Sequence, residues 1–170
     1  MISKPRSDEY APYAAGYVNA VPNGADVLKL LADNQVSTHQ LFHVMTDEQA
    51  MHTYAEGKWT LKEVLGHMID TERVFSFRAF VFSREDISLP GFDQETYILS
   101  TDFNSRTIQS LADEFKAVRE ATLYLYRSFS EGQLQQSGVA SGALVKVGAL
   151  VYITAGHEMH HLNIVKERYL

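Results

Sequence analysis

Two histidines four residues apart, on an otherwise apolar helical pattern, most constrain how this chain can fold. They lie in Ala155-Gly156-His157-Glu158-Met159-His160-His161-Leu162. At about 100° per residue, Lys146, Leu150, Ile153, Thr154, His157, His161 and Ile164 fall near one helix face. Most of that face is apolar, so it turns inward and takes two imidazoles into the core. Two adjacent uncharged imidazoles there need two hydrogen-bond partners or one metal ion. The segment reads as H-E-x-x-H, in which both histidines grip one metal. Only nine residues follow His161, too few for the downstream third ligand of an H-E-x-x-H protease. A third ligand is therefore expected from upstream, and the helix that supplies it must face the last one.

His67 is the upstream candidate. It sits in Leu65-Gly66-His67-Met68-Ile69-Asp70-Thr71-Glu72, with Val64, Thr71, Val74, Phe75, Arg78 and Phe82 on roughly its side. Gly66 costs ~1 kcal/mol against alanine in a helix interior, and its place suits close approach of another helix or a ligand. Three imidazoles from two facing helices, His67, His157 and His161, leave metal positions open, as catalytic sites do. His160 is an alternative partner for His157, but it lies farther from the apolar centre than His161. The chain has seven histidines; His39, His43 and His52 have polar or loop-like neighbours and read as surface residues.

Two carboxylates are candidate catalytic groups. Glu158 could act as general base for a metal-activated water, or be a rim carboxylate or helix salt bridge. Asp70, one turn after His67, could orient a ligand imidazole, or be a solvated helix charge. Arg78 could bind an anionic substrate group or pair with a carboxylate. Tyr97, Tyr124 and Tyr152 read as packing residues.

Composition narrows the chemistry. There are no cysteines, which excludes disulfides, thiolate metal sites and cysteine nucleophiles, so any metal must use nitrogen and oxygen donors. A formal net charge of −6 and a pI near 5.6 argue against nucleic-acid partners, which need a basic face. No stretch approaches the ~20 apolar residues of a membrane span, and the first residues turn polar where a signal peptide turns apolar. A cytoplasmic protein is expected.

The 170 residues fit one domain spanning 1–170, with residues 1–22 as an irregular arm anchored by Tyr10, Tyr13 and Tyr17. A first helix is expected from Asp26 to near Met45. The second starts at Thr60-Leu61-Lys62-Glu63, a capping box with Trp59 and Val64 placed as a hydrophobic staple, and runs through Phe82. Leu89-Pro90-Gly91-Phe92-Asp93 is a turn within a long connection to about Asn104. The third carries an inward stripe of Ile108, Leu111, Phe115, Val118, Thr122, Leu125 and Phe129. Ser137 to Gly142 reads as a flexible joint, and a fourth helix starts near Val145. Four amphipathic segments with no convincing strand predict an all-α four-helix bundle with a long connection between helices two and three. That connection lets helices two and three run in the same direction.

The segments Trp59 to Arg73 and Ala155 to Leu162, with Leu89-Pro90-Gly91-Phe92-Asp93 between them, resemble the DinB-like (DinB/YfiT) superfamily of metalloenzymes. The resemblance spans most of the chain. It implies a four-helix bundle holding a divalent metal, nickel, zinc or iron, on His67, His157 and His161, often as a homodimer. It also implies a small-molecule substrate, because relatives include transferases and isomerases that use a low-molecular-weight thiol such as bacillithiol, mycothiol or glutathione. Two expectations follow: a metal-dependent S-transferase or hydrolase, or a non-catalytic stress-related module that binds metal or a small ligand.

Overall fold

The computed structural model describes residues 1–170. In chain order the elements are α1 (Ala15–Ala20), α2 (Val27–His43), α3 (Asp47–Ala50), α4 (Leu61–Phe82), β1 (Ser88–Leu89), α5 (Gln94–Leu99), α6 (Ile108–Arg127), α7 (Glu131–Gln135), β2 (Ser137–Ala140), β3 (Ala143–Lys146) and α8 (Val147–Ile164). Short 3-10 turns at Pro12–Ala14 and Phe103–Ser105 and a π turn at Val165–Tyr169 complete the chain.

Caps set the starts of the long helices. Asp26 accepts from the amides of Leu28 and Lys29 at the head of α2. At α4 the reciprocal cap is formed: Thr60 Oγ1 accepts from the Glu63 amide at 3.1 Å, and Glu63 Oε2 accepts from the Thr60 amide at 2.7 Å. These bonds satisfy donors that the first turn would otherwise orphan.

The four long helices α2, α4, α6 and α8 pack as a bundle. Gln35 donates to the Lys116 carbonyl and Gln109 to the His43 carbonyl, so α2 and α6 are antiparallel. Lys62 reaches the Arg106 carbonyl near both starts, and Phe80 and Leu125 share a groove near both ends, so α4 and α6 run the same way. Val64 and Ile164 line one cleft while Phe75 meets His157, which makes α8 antiparallel to α4. The connection between α4 and α6 must cross the bundle, and α5 and the 3-10 turn form within it.

The chain is mostly helical, with one small sheet that corrects the all-α expectation. Order in the sheet is β1-β2-β3, with β1 parallel and β3 antiparallel to β2. The segment expected to be a flexible joint is a hairpin in which Ala140 pairs with Ala143. Its two turn residues, Ser141 and Gly142, both have positive φ, 54° and 78°, the left-handed pair of a type I′ turn. The N-terminal segment is also more ordered than an irregular arm, since Pro12–Ala20 is helical and α1 lies along α8.

Two apolar cores fill the bundle. One joins Val27 and Leu31, Ala79 and Phe82, Leu123 and Tyr126, and most of Val147–Ala155. The other joins Phe42 and Met45, Leu61–Ile69, Ile108–Phe115, and Leu162 with Val165. Between them, each long helix contributes buried polar residues: Thr38; His67, Thr71 and Glu72; Arg119; His157 and Glu158. The expected stripe on α6 thus departs from its 3-4 pattern at residue 119. Arg119 is fully buried, whereas Val118 and Leu125 are only half-buried.

Candidate metal centre

His67 on α4 meets His157 and His161 on α8 within the polar layer. His67 and His157 are buried; His161 is partly buried beside a cleft. The three Nε2 atoms lie 3.0 Å (67–157), 3.1 Å (67–161) and 3.1 Å (157–161) apart. A ring nitrogen offers either a proton or a lone pair, not both. Three nitrogens in mutual contact therefore leave at least one pair with the same character facing each other. A cation shared by all three removes that conflict, and the spacings suit nitrogens ~2.0–2.1 Å from one ion. The donor set fits a divalent metal.

The surroundings favour neutral imidazoles, the form a metal needs. Burial pushes His67 down to about 4 and His161 down to about 3, and burial with the neighbouring imidazoles holds His157 well below its ordinary value. Trp59 and Phe75 pack on His67 and His157, and Tyr17 of α1 meets His157 edge-on at 5.4 Å between ring centroids. The far nitrogen of His67, Nδ1, faces the hydroxyl of Thr71 at 3.3 Å.

The other candidates lie elsewhere. His160 is exposed, its ring against Tyr17 and outside the group of three. Asp70 is half-buried and faces Arg73 at 3.5 Å; burial, partly offset by Arg73, raises its carboxyl. The partner at the back of His67 is thus Thr71. Arg78 pairs with no carboxylate: its Nη2 donates to the Pro90 carbonyl at 3.1 Å and to Ser141 Oγ at 3.4 Å, tying the long connection to the hairpin turn.

Glu158 is no free base. Its Oε2 accepts from Arg119 Nη1 at 2.7 Å and its Oε1 from Thr38 Oγ1 at 2.7 Å. Arg119 also grips Glu72 with two bonds, Nε to Oε1 at 2.8 Å and Nη2 to Oε2 at 2.7 Å. Arg119, Glu72 and Glu158 are 0%, 3% and 2% exposed. Burial alone would lower the guanidinium, but the two carboxylates outweigh it and hold Arg119 above its usual range. This cluster was not foreseen from the sequence, where the only signal was an arginine on the apolar stripe of α6.

A cleft of about 250 Å³ opens on His161. Its walls include Tyr54, Trp59, Ile164 and Tyr169, and its polar groups include Lys58 and Glu95. Tyr54 and Tyr169 meet edge-to-face at 5.0 Å, and the Tyr169 hydroxyl donates to the Trp59 carbonyl at 2.7 Å. Residues 54–58 and the π turn, to which the sequence assigns no role, build the approach to the histidines together with Trp59, expected only as a helix staple.

Known proteins resemble this chain in sequence and in fold. A protein of Oceanobacillus iheyensis that carries the provisional name of a metal-dependent hydrolase is 27% identical over 124 residues, covering 72% of this chain and 71% of that one. YfiT from Bacillus subtilis, described as a probable metal-dependent hydrolase with an unusual four-helix bundle topology, superposes with a TM-score of 0.76 at 16% identity. The match covers 86% of this chain and 90% of YfiT and shows a shared fold. The sequence profile of the DinB superfamily matches residues 8–165. This chain belongs to the DinB superfamily.

Proposed function

We propose that this chain is a metal-dependent hydrolase of a small molecule, with His67, His157 and His161 holding one divalent ion at the inner end of the aromatic cleft. The convergence of three Nε2 atoms within 3.0–3.1 Å, two of them on buried histidines, carries the reading. Nickel, zinc and iron all suit an all-imidazole set. When bound, such an ion supplies Lewis-acid polarisation of a carbonyl or phosphoryl oxygen and makes water a nucleophile near neutral pH.

The chain's own residues do the rest. Tyr54, Trp59 and Tyr169 hold the apolar body of the substrate against His161. Thr71 accepts from His67 Nδ1–H and fixes the tautomer that presents Nε2. Glu158 and Asp70, engaged by Arg119 and Arg73, are not the proton-transfer groups. That task falls to Glu95, the one carboxylate among the cleft-lining residues. Lys58, on the wall of the same cleft, can hold an anionic substrate group.

A low-molecular-weight thiol is the alternative nucleophile for the same centre; the hydrolase names of both relatives favour water. The test is turnover of small esters, amides and phosphoesters, with and without added thiol, after chelation and metal restoration. Chelator-sensitive hydrolysis without thiol is expected, falling at least 100-fold in His157→Ala and at least tenfold in Glu95→Gln. Activity only with thiol would make the chain a transferase. Metal-loaded protein that turns over nothing would leave a binding module.

A further inference from the structure

We infer that the chain has a second transition-metal site on its surface, made by His39 and His43 of α2 and Asp113 of α6, which takes Zn²⁺ or a similar ion and clamps the two helices. The inference is independent of the buried centre. His39 and His43 are one turn apart, so both imidazoles point along one edge of α2. Their rings lie 4.9 Å apart between centroids. Asp113 comes from the antiparallel neighbour, with Oδ1 2.8 Å from His39 Nε2 and 3.8 Å from His43 Nε2. All three donor atoms lie within 4.8 Å of one another.

The register here is already fixed. One turn before the cluster, Gln35 Nε2 donates to the Lys116 carbonyl at 2.7 Å. One turn after it, Gln109 Nε2 donates to the carbonyls of His43 and Met45 at 3.2 and 2.7 Å. An ion arriving between these clamps finds the two helices already in register and orders little beyond three side chains.

A hydrogen bond between His39 and Asp113 accounts for half of the arrangement and leaves His43 at 3.8 Å, beyond bonding reach. Ligands of one tetrahedral zinc stand ~3.3 Å apart, given Zn–N of ~2.0–2.1 Å. The observed spacings bracket that value, and the side chains of His43 and Asp113 are exposed enough, at 45% and 64%, to close the gap by small rotations. Two neutral imidazoles and a carboxylate form a hard-to-borderline N₂O set suited to zinc, nickel or copper, with water completing the coordination. The open face and solvent exposure mark it as a stabilising or metal-responsive site, weaker than the buried one.

Equilibrium dialysis against ZnCl₂ followed by metal analysis tests this. Wild-type protein is expected to hold one more zinc per chain than His43→Ala or Asp113→Ala, both exposed substitutions that leave the fold intact by circular dichroism. His67→Ala should retain one zinc, and His67→Ala/His43→Ala none. Zinc should raise the Tm of His67→Ala by a few degrees, a rise absent from the double variant, because an ion that bridges two helices binds only the folded chain. Equal zinc content in wild type, His43→Ala and Asp113→Ala would overturn the inference, whatever His67→Ala does to the buried centre.

Discussion

His67 can offer Nε2 to a metal only while Nδ1 keeps its proton, and the Thr71 hydroxyl, 3.3 Å from Nδ1, is placed to accept that proton. Thr71→Val preserves shape and removes the acceptor. Metal affinity should fall 10- to 100-fold, the usual cost of losing such a partner, as read by competition with a chelator. Asp70→Asn should leave it within about twofold. Protonation gives a second handle on the metal-free protein. Burial lowers His67 to about 4 and His161 to about 3, against an ordinary value of 6.5. A base with a lowered folded-state pKa takes up its proton more readily when unfolded. Stability is thus complete above pH ~6.5 and is lost as the pH falls from there toward 4 for His67 and toward 3 for His161. The slope approaches ~1.4 kcal/mol per pH unit for each histidine, and urea titrations at several pH values should show it. At this scale the two helix-eight histidines were legible, because i, i+4 spacing on an apolar face is a local pattern. Thr71 was not, since a threonine at that spacing looks like any residue of an inward face.

The helices themselves followed local rules closely, and the surprises came where two elements touch. The capping box at Thr60 formed as its sequence indicated, and Thr60→Ala should cost about 1 kcal/mol in thermal or urea unfolding. Gly66, expected to permit a close approach, lies under the ring of Phe103. Gly156 allows a closer one: a Cβ there would run into the backbone of Tyr17, so α1 sits directly on α8. Gly156→Ala should therefore push α1 off, at a cost on the order of 1–3 kcal/mol. It should also loosen His157, which Tyr17 covers, and hydrogen exchange in residues 12–20 would report the change. The hairpin of Ser137–Lys146 escaped notice because neither four-residue strand, Ser137-Gly138-Val139-Ala140 or Ala143-Leu144-Val145-Lys146, alternates apolar with polar residues. Its turn carries Ser-Gly where Asn-Gly is the stronger hairpin signal.

Across the whole molecule, the polar layer divides one bundle into two apolar halves and sets how the helices align. Arg119 joins α6 to Glu72 of α4 and Glu158 of α8, and Glu158 to Thr38 of α2, so one side chain references all four helices. Arg119→Met would strand two buried carboxylates and should destabilise the fold by ~3–5 kcal/mol, while replacing Arg119, Glu72 and Glu158 together with apolar residues should recover most of that loss. Residues paired between helices in this layer are separated by 39 to 120 positions in sequence, and no local pattern sets the register that brings them together. The central claim is that the same layer holds a divalent ion on His67, His157 and His161. Metal content by mass spectrometry on untagged protein, beside His67→Ala and His161→Ala, tests it directly, with all three proteins carrying His43→Ala so that only the buried centre is counted. About one divalent ion per chain, lost in both added variants while the fold persists, is the expected result. Folded protein without bound metal, or with metal content unchanged by either substitution, would contradict it.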